Sequence, residues 1–407
     1  MSTSSAAPAG AGVIHAIVLD ADGSAREHTI AACRRLGIRI SGAADNGCAG
    51  LELLETLPRT PELTIVDLRL ADMDGADLMQ ALALLAPSTN LVICSAGEPR
   101  LLDAACTLAQ ELGLAVLGAA PKPVQPEALQ RALGLLARAR RAPVAGVRPA
   151  LDGADVMRAL RRHEFELHYQ PKVALDGMRP RGAEALLRWR HPVHGLLGPC
   201  AFLAQVREAD LFAPLTLEVL ELAQADWRDW QARGAALPLS INLPAGLLGN
   251  PSLAARLIAS TEAAGVPASA ITFELTEDTE MADLAVALRV LIKLRLHGFG
   301  LSLDDYGVGF SSIQRLSRIP FTELKIDRSL VHEAWTRPHL LPLLKSTIDL
   351  AEGLGIEAVA EGVEQEADLD LLRRLGCHQA QGFYLARPMP AADLERLLGQ
   401  WAGMGRW

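Results

Sequence analysis

In the C-terminal part of this chain a set of polar side chains sits within, at the end of, or just after short apolar runs. Glu184 lies within PRGAEALLRW (180–189), Asn242 within PLSINL (238–243) and Glu274 within ITFEL (271–275), while Asp304 and Asp305 end GLSLDD (300–305). Lys325 lies within ELKID (323–327), Glu361 ends EAVAE (357–361), and Gln381 follows HQA in HQAQGF (378–383). The set holds five carboxylates, two amides and a lysine, with no cysteine or histidine. Oxygen-rich ligation of that kind suits Mg²⁺ or Mn²⁺ and not structural zinc. Carboxylates crowded together repel unless cations neutralise them. The chemistry that follows is a two-cation site that clamps a phosphate and activates water. A lone carboxylate at a strand end is ordinarily a solvated rim residue. Recurrence at the same end of successive strands is what points to a site.

The N-terminal part carries a second, smaller set. Asp20 follows VIHAIVL (13–19), Asp67 ends LTIVD (63–67), Ser95 ends NLVICS (90–95), and Lys122 follows LAVLG (114–118). A carboxylate, a hydroxyl and a lysine at neighbouring strand ends suit a site where Asp67 accepts a phosphoryl group. Lys122 would pair with the phosphate and Ser95 would report its presence.

These residues need elements to bring them together. From 13 to 139 five apolar runs (13–19, 36–40, 63–67, 90–95, 114–118) alternate with amphipathic segments such as 48–57 and 126–139. That rhythm predicts a doubly wound five-stranded parallel sheet, with its active edge at the carboxyl ends of the strands. From 152 to 407 a second alternation adds runs at 165–175 and 180–189 to those that carry the polar set. Its length and rhythm predict a modified (β/α)8 TIM barrel, whose active sites form at the carboxyl ends of the strands. The run at 165–175 and the next are joined by a turn at Asp176-Gly177, so they read as a hairpin with one strand antiparallel to the rest. The domain reading is a disordered tail at 1–12, a first domain at 13–139, a linker at 140–151 and a second domain at 152–407.

Composition bounds the function. The 407 residues carry 39 basic against 48 acidic side chains, a formal charge of −9, and are 50% hydrophobic but only 4% aromatic. Ala, Leu and Val must therefore build most of the core. The charge argues against coating a polymer of phosphates, and no basic recognition helix is present, so DNA is not an expected partner. The six cysteines (Cys33, Cys48, Cys94, Cys106, Cys200, Cys377) form no C-x-x-C pair, which predicts reduced, mostly buried thiols. The N-terminus lacks the features of a signal peptide and no uncharged stretch suits a membrane span. The expected location is cytoplasmic.

Several motifs follow one another in a fixed order: Tyr169-Gln170-Pro171, Glu184-Ala185-Leu186 with Arg188, Ser240-Ile241-Asn242, Glu274-Leu275-Thr276-Glu277, Asp304 to Ser312, Leu324-Lys325-Ile326-Asp327, Ala360 to Glu364, and Gln381-Gly382-Phe383. Over 155–400 this series resembles the EAL domains, bacterial cyclic di-GMP phosphodiesterases. The resemblance implies hydrolysis of cyclic di-GMP to linear 5′-pGpG. Glu184, Asn242, Glu274 and Asp304 would hold one Mg²⁺ or Mn²⁺, and Asp305, with Asp304 and Glu361, would serve a second. Lys325 would orient the attacking water, Glu361 would act as general base, and Gln381 would position water and ligands. Gln170, Leu186 and Arg188 would contact the bound nucleotide, and Glu277 would anchor the loop 304–312. Every catalytic position carries the matching residue type, which favours an active enzyme over a receptor that binds the dinucleotide and signals through protein contacts. Tyr306 stands where Phe is commoner, and Gly198 to Leu203 resembles the family's P-x-x-F-I segment only loosely.

Asp67 with Met73-Asp74-Gly75, Ser95 and Lys122-Pro123 resembles the receiver domains of two-component response regulators, over about 13–140. That implies a sensor histidine kinase as phosphoryl donor, regulation of the second domain, and a homodimer or larger homo-oligomer. Receivers place two adjacent acidic residues after the first strand. Here Asp20 fills one position, Ala21 stands at the other, and Asp22 comes one residue late; Ala71 also replaces a usual proline. Magnesium at this site is therefore in question, and the alternative is a receiver fold kept as a docking module.

Overall fold

The computed structural model describes residues 14–96, 99–141, 151–276, 283–307 and 312–403. It divides into two compact units, Met1–Gly146 and Val147–Trp407. The expected tail at 1–12 and the positions 142–150 of the expected linker lie outside the described residues.

The N-terminal unit is a parallel sheet of β1 (His15–Leu19), β2 (Arg39–Ala44), β3 (Leu63–Asp67), β4 (Asn90–Ser95) and β5 (Ala115–Pro121), in the order β2-β1-β3-β4-β5. Strand alternation sends Ala16 and Val18 of β1 to one apolar cluster, with Cys33, Leu129 and Ala132 from the covering helices. Ile17 and Leu19 go to another, with Leu54, Leu78, Leu82 and Leu102. Burial on both faces is why β3 reads as a continuous apolar run. One expected strand, 36–40, is displaced. The helix Gly23–Arg35 ends at Leu36, and Gly37 adopts the left-handed φ of +76° that closes it, so pairing starts only at Arg39.

The C-terminal unit is a closed barrel. Its strands are β6 (Phe165–Ala174), β7 (Pro180–His191), β8 (Gly195–Leu197), β9 (Leu239–Asn242), β10 (Ile271–Thr276), β11 (Gly300–Tyr306), β12 (Glu323–Ile326), β13 (Glu357–Ala360), β14 (Gln379–Ala380) and β15 (Met389–Pro390). The order β6-β14-β13-β12-β11-β10-β9-β7 closes through the β6–β7 pairing, and β8 and β15 add short edges. β6 runs antiparallel to both its barrel neighbours, β7 and β14, while the pairs from β7 round to β14 are parallel. The expected antiparallel strand is therefore β6. The apolar core lies mainly between the barrel and its helices: Phe273 and Leu275 of β10, Leu301 and Leu303 of β11, and Leu257, Leu291 and Leu344 of the helices belong to one cluster. Because successive strand residues face opposite ways, the same alternation leaves Glu274 pointing into the barrel.

Three cysteines, Cys33, Cys94 and Cys377, are buried, and burial pushes each thiol up to about 12. Cys48 and Cys200 are exposed, against the expectation of mostly buried thiols. Among the described residues no helix is long and apolar enough to cross a membrane.

Candidate active site

Lys325, on β12, is 1% exposed and has carboxylate oxygens of Glu361 at 2.7 Å, Glu274 at 2.9 Å, Asp304 at 2.9 Å and Glu184 at 3.4 Å. Carboxylates from three strands, β7, β10 and β11, and from the residue after β13 thus converge on one ammonium. Register places them: Glu274 on β10 stands beside Asn242 on β9, Thr276 beside Asp304, and Ile326 beside Ala360, so Glu361 follows the end of β13. Gln381 likewise follows β14, with its backbone N–H donating to Ala360 O.

Asp304 and Asp305 are consecutive, so regular strand geometry would aim them at opposite faces. Asp305 instead has a φ of +57°, and the pairing of β11 with β12 is irregular between Leu303 and Tyr306. The irregularity turns both side chains to one place: carboxylate oxygens of Asp304, Asp305 and Glu361 lie within 4.8 Å of one another. These three carboxylates are close enough together for each to offer an oxygen to one metal ion.

The remaining contacts brace the ring. Gln381 Nε2 donates to Glu184 Oε2 (2.6 Å) and Gln170 Oε1 (3.0 Å), Gln170 donates to Ala386 O (2.9 Å), and Asn242 Nδ2 donates to Glu184 Oε1 (3.3 Å). Gln381 Oε1 is buried with no hydrogen-bond partner in the protein. Leu186 and Arg188 are half-buried on β7, and Arg188 donates to Leu187 O. Glu277 lies outside the described residues, as do Val308 to Ser311 of the motif that opens with Asp304.

A residue that the sequence reading missed completes the ring. Lys172 on β6 is 2% exposed; its Nζ donates to Ser240 Oγ (2.6 Å), Glu323 Oε1 (2.6 Å) and Glu274 Oε1 (3.0 Å). The signal available was its place directly after Tyr169-Gln170-Pro171, in a strand whose neighbours are apolar.

The electrostatics follow from this packing. Burial pushes the Glu274 carboxyl up, but Lys325 and Lys172 outweigh it and hold it at about 2. Burial pushes Asp304 up to about 8 against the pull of Lys325, with Glu274, Glu361 and Glu184 adding to the rise. Burial likewise pushes Glu361 up to about 7. With all groups ionised, Glu184, Glu274, Asp304, Asp305, Glu361 and Glu323 against Lys172 and Lys325 leave four formal negative charges, which two divalent cations would cancel. The donor set thus fits hard cations in both type and charge.

The EAL domain family model matches residues 154–388. This chain belongs to the EAL domain family. Its EAL domain has relatives of similar build. The cyclic di-GMP phosphodiesterase RocR of Pseudomonas aeruginosa is 36% identical over 352 residues, 85% of this chain and 89% of RocR. That match is longer than the C-terminal unit alone can supply. The bifunctional diguanylate cyclase/cyclic di-GMP phosphodiesterase MucR of the same organism is 38% identical across 59% of this chain and 35% of MucR. Among solved structures, the MucR phosphodiesterase in complex with c-di-GMP superposes with a TM-score of 0.56 at 38% identity, covering 59% of this chain and 98% of that one. The EAL enzyme Bd1971 in its cAMP and cyclic-di-GMP bound form gives 0.57 at 31% identity, covering 66% and 76%.

In the N-terminal unit the predicted residues also meet. Lys122 Nζ lies 2.6 Å from both Asp20 Oδ1 and Asp67 Oδ2, and Asp20, Asp67 and Ser95 are buried. Burial pulls the Lys122 ammonium down, and the two carboxylates outweigh it and hold its pKa above the usual value. The late acidic residue, Asp22, does not join them. It caps the helix Gly23–Arg35, accepting from the backbone N–H groups of Ser24 and Ala25.

Proposed function

We propose that this chain is a cation-dependent phosphodiesterase that opens cyclic di-GMP to linear 5′-pGpG, with the N-terminal unit acting as a regulatory receiver domain. The observation that carries it is the acidic ring on Lys325 at the carboxyl ends of the barrel strands, in a chain of the EAL family.

Glu184, Asn242, Glu274 and Asp304 would hold one cation, and Asp304, Asp305 and Glu361 a second. Bound Mg²⁺ or Mn²⁺ would supply Lewis acidity toward the phosphate and make water acidic enough to deprotonate near neutral pH. The protein's own groups do the rest. Glu361, held against Lys325 at the edge of the ring, removes the proton of the attacking water. The water oxygen bonds to phosphorus, the bond from phosphorus to the 3′ oxygen breaks, and that oxygen takes up a proton. Lys325 lies 2.7 Å from Glu361 and fixes the base while offsetting negative charge that builds on the phosphoryl oxygens. Gln381 braces Glu184 and is itself held by Gln170, and the orphan Gln381 Oε1 accepts from a water or ligand donor. Arg188, half-buried beside the ring, pairs with a ligand phosphate, and Leu186 lines the nucleotide.

Asp67 is the phosphoryl acceptor in this reading and a sensor histidine kinase the class of donor, with Lys122 as the cation that meets the phosphate. A receptor that binds without turnover is the competing reading. Purified protein given cyclic di-GMP and Mg²⁺, with and without EDTA, decides between them. Linear product that disappears with EDTA is expected; tight binding with no cation-dependent product would establish the receptor instead.

A further inference from the structure

Lys172 is a buried charge that the mechanism leaves unused. Barrel interiors of this fold are usually filled by layers of branched apolar side chains. Here β6 sends a lysine into the interior, where burying an ammonium is costly unless it is paired and hydrogen-bonded. The pairing is complete: an ammonium has three donors, and Ser240, Glu323 and Glu274 accept all three within 3.0 Å. The partners come from β9, β12 and β10, so four strands share the contact. Glu323 is at the start of β12 and Lys325 two residues further on, so the two lysines occupy successive levels of the barrel. Glu274 stands between them, with Oε1 taken by Lys172 and Oε2 by Lys325 at 2.9 Å. Charges alternate through the barrel: Glu323, Lys172, Glu274, Lys325, and then Asp304 and Glu361.

We propose that Lys172 is a positioning residue for the acidic ring: it fixes the carboxylate of Glu274 through the oxygen that Lys325 does not hold, and Glu323 anchors it. This rests on the phosphodiesterase reading for its functional meaning, but not for its test. A Glu274 held by both oxygens cannot rotate away, and Lys325 in turn stays aimed at Asp304 and Glu361. Removing Lys172 frees Glu274 to swing onto Lys325 and shift the ring that would take the cations. Losing a group that holds a metal ligand in place typically costs about 10–100-fold in affinity or activity.

The test is Mn²⁺ binding to the full-length protein, followed by electron paramagnetic resonance, with thermal unfolding as the fold control. Lys172→Met keeps the length of the side chain and removes the charge. It is expected to weaken Mn²⁺ binding about tenfold or more. At saturating Mn²⁺ it should lower kcat by a similar factor and leave KM within about twofold, since Lys172 touches no substrate group. Lys172→Arg, which keeps the cation, should recover part of the loss. Glu323→Gln lies a level away from the ring and should weaken Mn²⁺ about threefold by loosening the anchor. A folded Lys172→Met that binds Mn²⁺ as the wild type does would overturn the proposal. If Lys172→Met does not fold, wild-type affinity in Glu323→Gln overturns it instead. Wild-type protein that binds Mn²⁺ but leaves cyclic di-GMP intact would sink the phosphodiesterase reading and leave the positioning role standing.

Discussion

Asp304 and Glu361 carry the protons that a divalent cation must displace. Burial pushes them up to about 8 and about 7, so protons compete with a cation for this pair near neutral pH. Only the ionised forms bind a cation, so the sign is fixed: affinity rises as pH rises toward these values and levels off above them. Mn²⁺ titrations at about pH 6, 7 and 8 should show affinity climbing by up to tenfold per pH unit for each proton displaced. Calorimetry in two buffers of different ionisation enthalpy should register proton release near pH 7, and a flat profile would refute the assignment. Asp305 makes a separate case. Its φ of +57° lies in the left-handed region, where Asn is tolerated but Ala is strained by about 1–2 kcal/mol. Asp305→Asn should keep the wild-type Tm and lose cation affinity. Asp305→Ala should lose the affinity and lower Tm by several degrees as well. Equal Tm values for the two would show that the backbone there is not constrained.

Placement of Gln381 depends on how closely two loops approach. A Cβ added to Gly382 would stand 2.1 Å from the Val363 carbonyl oxygen, a contact with backbone that cannot swing aside. Val363 N–H donates to Gln381 O in the same crossing, so the loop after β13 and the one after β14 are locked together. Gly382→Ala should therefore move Gln381, cost about 1–3 kcal/mol of stability and lower kcat at least tenfold; unchanged kcat would show that Gln381 is not held by this crossing. The elements were largely legible beforehand because their signals are local. β3 and β4 coincide with LTIVD and NLVICS, and the ring residues fall on or next to the strand ends that the apolar runs marked. β2 starts later than its apolar run because Gly37, within that run, closes the preceding helix. Lys172 was not legible for a different reason. A lysine in a strand reads as solvent-facing until the barrel closes and sets Ser240, Glu274 and Glu323 around it, at separations of 68, 102 and 151 residues. The turn of Asp305 toward Asp304 was equally hidden, because period-two alternation predicts the reverse.

The two units carry separate polar clusters, which can be tested apart. In the N-terminal unit Asp20, Asp67 and Lys122 meet, but Ala21 supplies no carboxylate and Asp22 is spent on a helix cap. Phosphoryl transfer needs a cation to neutralise charge, so labelling of Asp67 by acetyl phosphate with Mg²⁺ should be slow, absent in Asp67→Asn, and faster in Ala21→Asp. No labelling in either the wild type or Ala21→Asp would leave this unit as a docking module. The formal charge of −9 takes on a local meaning at this scale. It argues against a polymer of phosphates, yet part of it is the ring that would bind a dianionic dinucleotide through cations. Glu361 tests that binding and the turnover that follows most directly. Cyclic di-GMP binding and linear product are to be measured side by side, with Mn²⁺, in the wild type and in Glu361→Gln. The expected result is turnover by the wild type and a variant that still binds the dinucleotide but turns it over about 10²–10⁴-fold more slowly. Product formed at equal rates by both proteins, or none from the wild type, would contradict it.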